Sequence, residues 1–148
     1  MAVPTPNPPK SPENAERPAP ARPGSDPLPL RGLRASFGYA LQGLRFAWKG
    51  QRNFRLEVYI AVVAVGMALW LGVELVLVLL VVALVLGLEL INTALEAVVD
   101  LASPNFHPLA KAAKDVAAAA VLVVSLLAAL IGLVLFVPPL WGRLGLGG

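Results

Sequence analysis

The fold is decided by residues 75–100, which read LVLVLLVVALVLGLELINTALEAVVD and carry no charge before Glu89. Four polar residues then follow at helical spacing, and we call them the acidic stripe: Glu89, Asn92, Glu96 and Asp100. At about 100° per residue, their side chains fall within roughly 80° of one another on a helix. A carboxylate near the bilayer centre costs on the order of 2.5–3.5 kcal/mol on insertion scales, so Glu89 is expected to have a function.

The composition is that of an integral membrane protein. Of the 148 residues, 57% are hydrophobic and 14% charged, which leaves too little polar surface for a soluble domain. The absence of cysteine excludes disulfides and thiolate chemistry. Basic residues cluster before the first apolar run and suit a cytoplasmic membrane surface: Arg31, Arg34, Arg45, Lys49, Arg52 and Arg55. No aromatic or RNA-module pattern accompanies them, so we expect no nucleic-acid binding.

The chain is predicted to have three parts, namely a tail (1–29), a membrane domain (30–141) and a short C-terminal tail (142–148). The first tail holds most of the 14 prolines and no continuous apolar segment. It is therefore predicted to be disordered and to contain no cleaved signal sequence.

The membrane domain predicts one interfacial helix followed by three spans. Residues 32–55 place apolar side chains on one helical face and most basic ones elsewhere, which indicates an amphipathic helix in the interface. The third span is expected to end at Pro138 and Pro139. The fold class is therefore all-α integral membrane, with an N-terminal amphipathic interfacial helix and three transmembrane helices at residues 56–73, 75–99 and 116–140.

Charge placement predicts the orientation of the spans. Basic residues precede the first span and also the third, where Lys111 and Lys114 lie, whereas the turn at Glu74 carries no positive charge. The N-terminus, the polar end of the acidic stripe and residues 101–114 are then cytoplasmic. A nucleoside triphosphate is available on that side.

The third span begins with four alanines and continues through small residues at Ser125, Ala128, Ala129 and Gly132, which predicts close helix packing. Three short helices bury little polar surface within one chain. We therefore expect Glu89 and Asn92 to find partners in a neighbouring subunit of a homo-oligomer.

The acidic stripe carries the residue types that phosphoryl transfer requires. Carboxylate and amide oxygens are ligands of Mg²⁺, which usually bridges substrate phosphates, and phosphoryl transfer needs mainly positioning and charge neutralisation. Neither a GxxxxGK[ST] loop nor a protein-kinase catalytic loop is present, so the two common kinase classes are excluded. Glu89, the deepest acid, suits a general base, and Glu96, nearer water, suits the metal.

Three segments together resemble the prokaryotic diacylglycerol kinase family, which comprises small trimeric membrane kinases and includes the undecaprenol kinases. The segments are GYALQGLRFAW at 38–48, ELINTALEAVVD at 89–100 and HPLAKAAKD at 107–115. The resemblance runs from about Leu30 to Trp141. It implies a multi-pass homotrimer in the plasma (inner) membrane of a bacterium that uses ATP and Mg²⁺ to phosphorylate a lipid alcohol. Ala118, where the diacylglycerol branch tends to carry serine, favours undecaprenol as the substrate.

The resemblance also implies roles for individual residues. Glu89 would deprotonate the lipid hydroxyl, and Glu96 would bind Mg²⁺ and the nucleotide. Where the family usually has a second metal-binding glutamate, this chain has Gln51, whose amide oxygen is an uncharged ligand. Mg²⁺ affinity is therefore expected to be lower, unless Glu57 compensates. The other residues implied in nucleotide binding are Tyr39, Asn92, Asp100, Asn105, Phe106, His107, Lys114 and Asp115.

Three alternatives remain open at this stage. The first is a diacylglycerol kinase of the same family. The second is a small proton-coupled transporter subunit, which would also keep an intramembrane glutamate but would need polar access from both sides. The outer half of the second span is uniformly apolar, which favours an interfacial enzyme. The third is a scaffold that acts through the tail, and it would leave the acidic stripe without a function.

Overall fold

The computed structural model describes residues 29–145, and in this part of the chain it contains helices and no strand. The predicted all-α membrane fold is confirmed. The predicted tail at 1–29 lies outside the described residues except for Pro29. Of the predicted C-terminal tail at 142–148, residues 146–148 lie outside them. Both domain predictions stay predictions. The helices are α1 (Pro29–Gly50), α2 (Arg52–Leu71), α3 (Leu75–Ala102) and α4 (Pro108–Arg143).

The chain divides into two units, Met1–Leu41 and Gln42–Gly148. The described part of the first unit is the beginning of α1. The second unit contains the end of α1 and all of α2, α3 and α4. Every residue of the acidic stripe therefore belongs to the second unit.

Helices α2, α3 and α4 are each long and apolar enough to cross a membrane. At a rise of 1.5 Å per residue, the 20 residues of α2 cover about 30 Å, the thickness of a hydrocarbon core. Large apolar side chains such as Val62, Leu80 and Leu126 are more than half exposed. Such an exterior is stable in lipid, where helices satisfy their own backbone groups.

Helix α3 packs against both α2 and α4. The half-buried residues of α4 recur at spacings of three and four, so one face of that helix meets its neighbours. This face includes several of the small residues noted in the sequence, and small side chains allow helix backbones to approach closely. Its members include Val121, Ser125, Ala128, Gly132 and Leu135.

A short turn centred on Gly72 connects α2 to α3. Gly72 has φ 71°, ψ 29°, and its N–H donates to the carbonyl oxygen of Ala68 at 3.0 Å. This left-handed conformation closes the C-terminus of α2 and is one that glycine adopts without steric cost. Gly72, Val73 and Glu74 therefore form a tight connection between the first two spans.

The interfacial helix is shorter than predicted. It was expected to continue to Arg55, but α1 ends at Gly50 and Gln51 adopts an extended conformation with φ −107° and ψ 116°. Arg55 then belongs to α2, and its Nη1 donates back to the carbonyl oxygen of Trp48 at 3.0 Å. Two features explain the break between α1 and α2. Gly50 has a low helix propensity, and Arg55 satisfies the carbonyl oxygen of Trp48 at the end of α1.

The last helix begins earlier than predicted. The expected start was residue 116, but α4 begins at Pro108, because proline is well suited to the first helical position. His107 is the N-cap, and its Nδ1 accepts a hydrogen bond from the backbone N–H of Leu109 at 3.2 Å. The segment that carries Lys111 and Lys114 is consequently helical.

Helix α4 also continues beyond the predicted stop at Pro138 and Pro139 and ends at Arg143, so that boundary prediction was wrong. The fixed φ of proline is compatible with a helix, although each proline removes one backbone hydrogen bond and crowds the carbonyl oxygen four residues earlier. The Arg143 guanidinium lies 5.5 Å from the ring centroid of Trp70 on α2, a contact that holds the extended helix end in place.

Candidate active site

The acidic stripe changes from buried to exposed along α3. Glu89 is 2% exposed and Asn92 8%, whereas Glu96 is half-buried and Asp100 is exposed. Thr93, also buried, donates from Oγ1 to the carbonyl oxygen of Glu89 at 2.9 Å. The helices of one chain already bury Glu89 and Asn92, and the partners expected for them in a neighbouring subunit stay a prediction.

Glu96 is the centre of a small hydrogen-bond network. Gln51 donates from Nε2 to Oε2 of Glu96 at 3.1 Å, and Asn92 donates from Nδ2 to Oε1 at 3.2 Å. Gln51 reaches this position because it lies in the break between α1 and α2, directly before the first turn of α2. Two residues predicted as metal ligands, Gln51 and Glu96, are thus in direct contact although they are far apart in sequence.

Two ion pairs lie where α3 ends and α4 begins. Lys114 contacts Asp100 on α3, and Lys111 contacts Asp115 one turn along α4. All four residues are exposed or half-buried, and ion pairs of this kind contribute at most about 1 kcal/mol to stability. A bound polyphosphate can therefore replace the partners of the two lysines at little cost.

The remaining predicted nucleotide contacts are exposed. Asn105, Phe106 and His107 lie in the connection between α3 and α4, where Ser103 Oγ donates to the carbonyl oxygen of Asn105 at 3.0 Å. Tyr39 is exposed on α1, within the first unit. The nucleotide-binding roles of these four residues stay predictions.

Glu57 lies near the acidic stripe. From the sequence, this residue was expected only as a substitute metal ligand. Glu57 on α2 lies close enough to Glu89 for their charges to interact. Spacing within one helix could not have found this pair, because the argument needs the contact between Gln51 and Glu96. Glu57 lies six residues from Gln51, and Glu89 lies seven from Glu96. These nearly equal steps along two neighbouring helices lead to nearly the same depth.

The oxygen donors near Glu96 are of the type that binds Mg²⁺. In the described part of the chain, no three acidic, histidine or cysteine side chains meet as a complete metal site. The available donors are the Glu96 carboxylate, the amide of Gln51 and Oδ1 of Asn92, which is buried without a hydrogen-bond partner among the described residues. Mg²⁺ typically takes one or two carboxylates and completes its shell with water and phosphate oxygens.

The fold and the site define a class of protein: a helical integral membrane protein with a graded acidic site at one end of its spans. The sequence model of the prokaryotic diacylglycerol kinase family matches residues 38–136. The chain belongs to the prokaryotic diacylglycerol kinase family, a family of membrane lipid kinases. The predicted family and the predicted class of enzyme, a lipid kinase, are thereby confirmed. The transporter and scaffold alternatives are not favoured.

Curated relatives carry two different names. Over 112 residues the chain is 42% identical to a diacylglycerol kinase of Synechocystis sp. The matched segment covers 73% of this chain and 64% of that relative. It is 40% identical over 108 residues to an undecaprenol kinase of Bacillus subtilis, covering 71% of this chain and 88% of the relative. It is 39% identical over 111 residues to a diacylglycerol kinase of Escherichia coli, covering 73% and 88%. Similarity at this level does not separate the two substrates.

Proposed function

We propose that this chain transfers the γ-phosphoryl group of ATP to the hydroxyl of a membrane lipid, with undecaprenol preferred over diacylglycerol. The observation that carries the proposal is that α3 holds two carboxylates at different depths. Glu89 is buried within the apolar bundle, and Glu96, seven residues nearer the exposed end, is held by two amides. At 1.5 Å per residue, the two acids differ in depth by about 10 Å.

This separation matches the two substrates of the reaction, with the lipid hydroxyl at Glu89 and the triphosphate at Glu96. Glu89 accepts the proton of the lipid hydroxyl, the hydroxyl oxygen forms a bond to the γ-phosphorus, and the bond from that phosphorus to the bridging oxygen of ADP breaks. Burial keeps water away from Glu89 and so from the phosphoryl group. Glu96, Asn92 and Gln51 lie where the triphosphate enters from the polar side.

Mg²⁺ is the proposed cofactor, and it would neutralise charge on the transferring phosphates when bound. Glu96 would hold it, with the amide oxygens of Gln51 and Asn92 as further ligands. The unpartnered Oδ1 of Asn92 supports this assignment, because a buried oxygen without a hydrogen bond is costly unless a ligand contacts it.

The nucleotide would lie across the polar ends of α3 and α4. Lys114, released from Asp100, would contact phosphate, and Asp100 and Asp115 would bind elsewhere on the nucleotide. Lys111 and Lys114 also support a cytoplasmic position for this end, because positive residues flank spans on that side. The chain would act as a homotrimer in a bacterial inner membrane, and the broad apolar exteriors of its helices offer surface for such contacts.

The preference for undecaprenol has narrower support. Ala118, at the position where the diacylglycerol branch tends to carry serine, is the residue behind it, and a curated relative named undecaprenol kinase matches over most of its length. The alternative is diacylglycerol, which the names of other relatives at similar identity indicate.

The experiment is a transfer assay with ATP labelled in the γ-phosphate. Purified protein in lipid vesicles is given Mg²⁺ and either undecaprenol or diacylglycerol, and the extracted lipid is counted. We expect more label in undecaprenol. More label in diacylglycerol would reverse the substrate preference, and label in neither lipid, with folded protein, would contradict the kinase proposal.

A further inference from the structure

The junction between α1 and α2, at residues 50–52, sets the position of Gln51. Gln51 is the N-cap residue of α2, but its side chain makes no capping hydrogen bond. Serine, threonine, aspartate and asparagine are the usual N-cap residues, because their short side chains accept from the free N–H groups of the first turn. Gln51 instead donates from Nε2 to Glu96 on α3. Other contacts therefore have to stabilise the junction.

Arg55, one turn into α2, makes the first of these contacts. Its Nη1 donates to the carbonyl oxygen of Trp48 at 3.0 Å and lies 3.5 Å from the carbonyl oxygen of Lys49. Both carbonyls belong to the last turn of α1, where the helix itself offers no further donors. A guanidinium at this end also faces the negative end of the helix dipole. Arg55 thus joins α2 to the end of α1.

Tyr59, a further turn along α2, makes the second contact. Its ring meets the ring of Trp48 with the centroids 6.0 Å apart and an interplanar angle of 69°, which is an edge-to-face arrangement. Aromatic pairs favour this geometry because the positive edge of one ring faces the negative face of the other. Trp48 is therefore held twice, by its carbonyl oxygen and by its ring. We call Trp48, Arg55 and Tyr59 the clamp.

The clamp acts on the same side of α2 as Gln51. Arg55 follows Gln51 by four residues and Tyr59 by eight, which at about 100° per residue turns their side chains by only about 40° and 80° from that of Gln51. The backbone N–H of Gln51 donates to the carbonyl oxygen of Ala47 at 2.8 Å. Ala47 and Phe54, on the two sides of the junction, are both buried. Gln51 is thus held from α1 and from α2.

We propose that the clamp residues are positioning residues for the metal and nucleotide end of the candidate site, because they hold the junction in the conformation that directs Gln51 at Glu96. This inference rests on the proposed kinase function and deepens it. In this role the clamp contacts neither the nucleotide nor the lipid alcohol and acts only through Gln51. Without the clamp the junction moves, and Glu96 loses the amide that contacts it.

The effect of the clamp is confined to one substrate of the reaction. Gln51 and Glu96 are proposed ligands of Mg²⁺, whereas the lipid hydroxyl is proposed to lie about 10 Å deeper, at Glu89. Removing a residue that orients a metal ligand typically lowers metal affinity by about 10- to 100-fold. Loss of the clamp should therefore raise the Mg²⁺ requirement and leave the KM for the lipid alcohol unchanged.

The first test compares Arg55→Gln with Arg52→Gln in the full-length protein in vesicles. Both variants lose one positive charge beside the junction, but Arg52 is exposed and makes no hydrogen bond or ion pair within residues 29–145. We expect Arg55→Gln to raise the Mg²⁺ concentration for half-maximal activity by about tenfold. Arg52→Gln should match the wild type. Arg55→Lys should restore most of the effect, because a single amine can replace Nη1 as the donor. Equal Mg²⁺ requirements in the two glutamine variants would overturn the proposal.

The aromatic contact is tested by Tyr59→Leu and Tyr59→Phe. Leucine removes the ring and should raise the Mg²⁺ requirement several-fold, whereas phenylalanine keeps the ring and should match the wild type. A purely structural role would lower the unfolding temperature and the fraction of active protein, and so kcat, without moving the Mg²⁺ titration. Equal Mg²⁺ requirements in the two variants would remove Tyr59 from the clamp.

A double-mutant cycle tests whether Arg55 acts through Gln51. Gln51→Ala removes the amide, so adding Arg55→Gln to that variant should raise the Mg²⁺ requirement no further. The two substitutions would multiply their effects if Arg55 acted elsewhere in the site, and that result would overturn the positioning role.

A cross-linking experiment gives a readout that needs neither metal nor turnover. The chain has no cysteine, so Gln51→Cys combined with Glu96→Cys provides a single pair of thiols for a short thiol-specific cross-linker. We expect the cross-link within one chain to form in this background and with Arg52→Gln added, and to form several-fold less with Arg55→Gln added. Equal yields would overturn the proposal. A yield that depends on Arg55, together with a wild type that phosphorylates no lipid, would instead contradict the proposed function.

Discussion

Gln51 donates a hydrogen bond from Nε2 to Oε2 of Glu96 across 3.1 Å, and this contact joins the start of α2 to the acidic stripe on α3. An amide at this position has two consequences. It stabilises the Glu96 carboxylate without any metal, and it supplies no charge of its own when a divalent ion binds. Both consequences can be measured.

Gln51→Glu is predicted to make the protein bind Mg²⁺ more tightly. The second carboxylate adds a charged ligand, so the Mg²⁺ concentration for half-maximal kinase activity should fall by about tenfold. Without Mg²⁺ the two carboxylates would repel each other, and the thermal unfolding temperature of the variant should be lower than that of the wild type. An unchanged Mg²⁺ titration would show that other groups already complete the metal site.

Lys114→Gln is predicted to weaken ATP binding without unfolding the protein. The variant loses an exposed ion pair with Asp100, which contributes at most about 1 kcal/mol to stability. The KM for ATP should rise by about tenfold, because a charge-assisted contact to phosphate is lost. Arg143→Gln, at the other end of α4, is the control and should leave the KM for ATP unchanged. An unaltered KM in Lys114→Gln would leave that lysine with only an anchoring role.

Gly72→Ala is predicted to destabilise the bundle. The residue has φ 71°, where a side chain is strained, and the free energy of unfolding should fall by about 1 kcal/mol. Gly66→Ala is the matched control, because Gly66 lies inside α2 with open space around it. That control should be neutral or slightly stabilising. Denaturant titration in detergent micelles compares the two, and equal effects would exclude strain at Gly72 as the cause.

Much of the fold could be predicted because lipid imposes a simple pattern. Uniform apolar segments lead to spans, and the change at Glu89 marks where one span acquires a polar face. The helix ends were predicted less well. Arg55 was assigned to the interfacial helix, but its side chain caps that helix from the next one. Pro138 and Pro139 did not end α4, because the fixed φ of proline is compatible with a helix.

The sequence predicted which site residues share one face of α3. It did not predict which residues of the other helices lie beside that face. Spacing within α3 identified Glu89, Asn92 and Glu96 as one face. The position of Glu57 depends on which turn of α2 lies beside Glu89, and spacing within one helix carries no information about that register. Once an interhelical contact is known, counting residues from it is enough.

Glu89 is the proposed base in a phosphoryl transfer to a membrane alcohol. The most direct measurement compares kcat for γ-labelled ATP and undecaprenol in vesicles between the wild type and Glu89→Gln, with Glu74→Gln at the exposed turn before α3 as the matched control. We predict that kcat falls by about 10²- to 10⁴-fold in Glu89→Gln, with ATP binding and oligomeric state retained, while Glu74→Gln matches the wild type. A Glu89→Gln variant that phosphorylates undecaprenol at the wild-type rate would contradict the account.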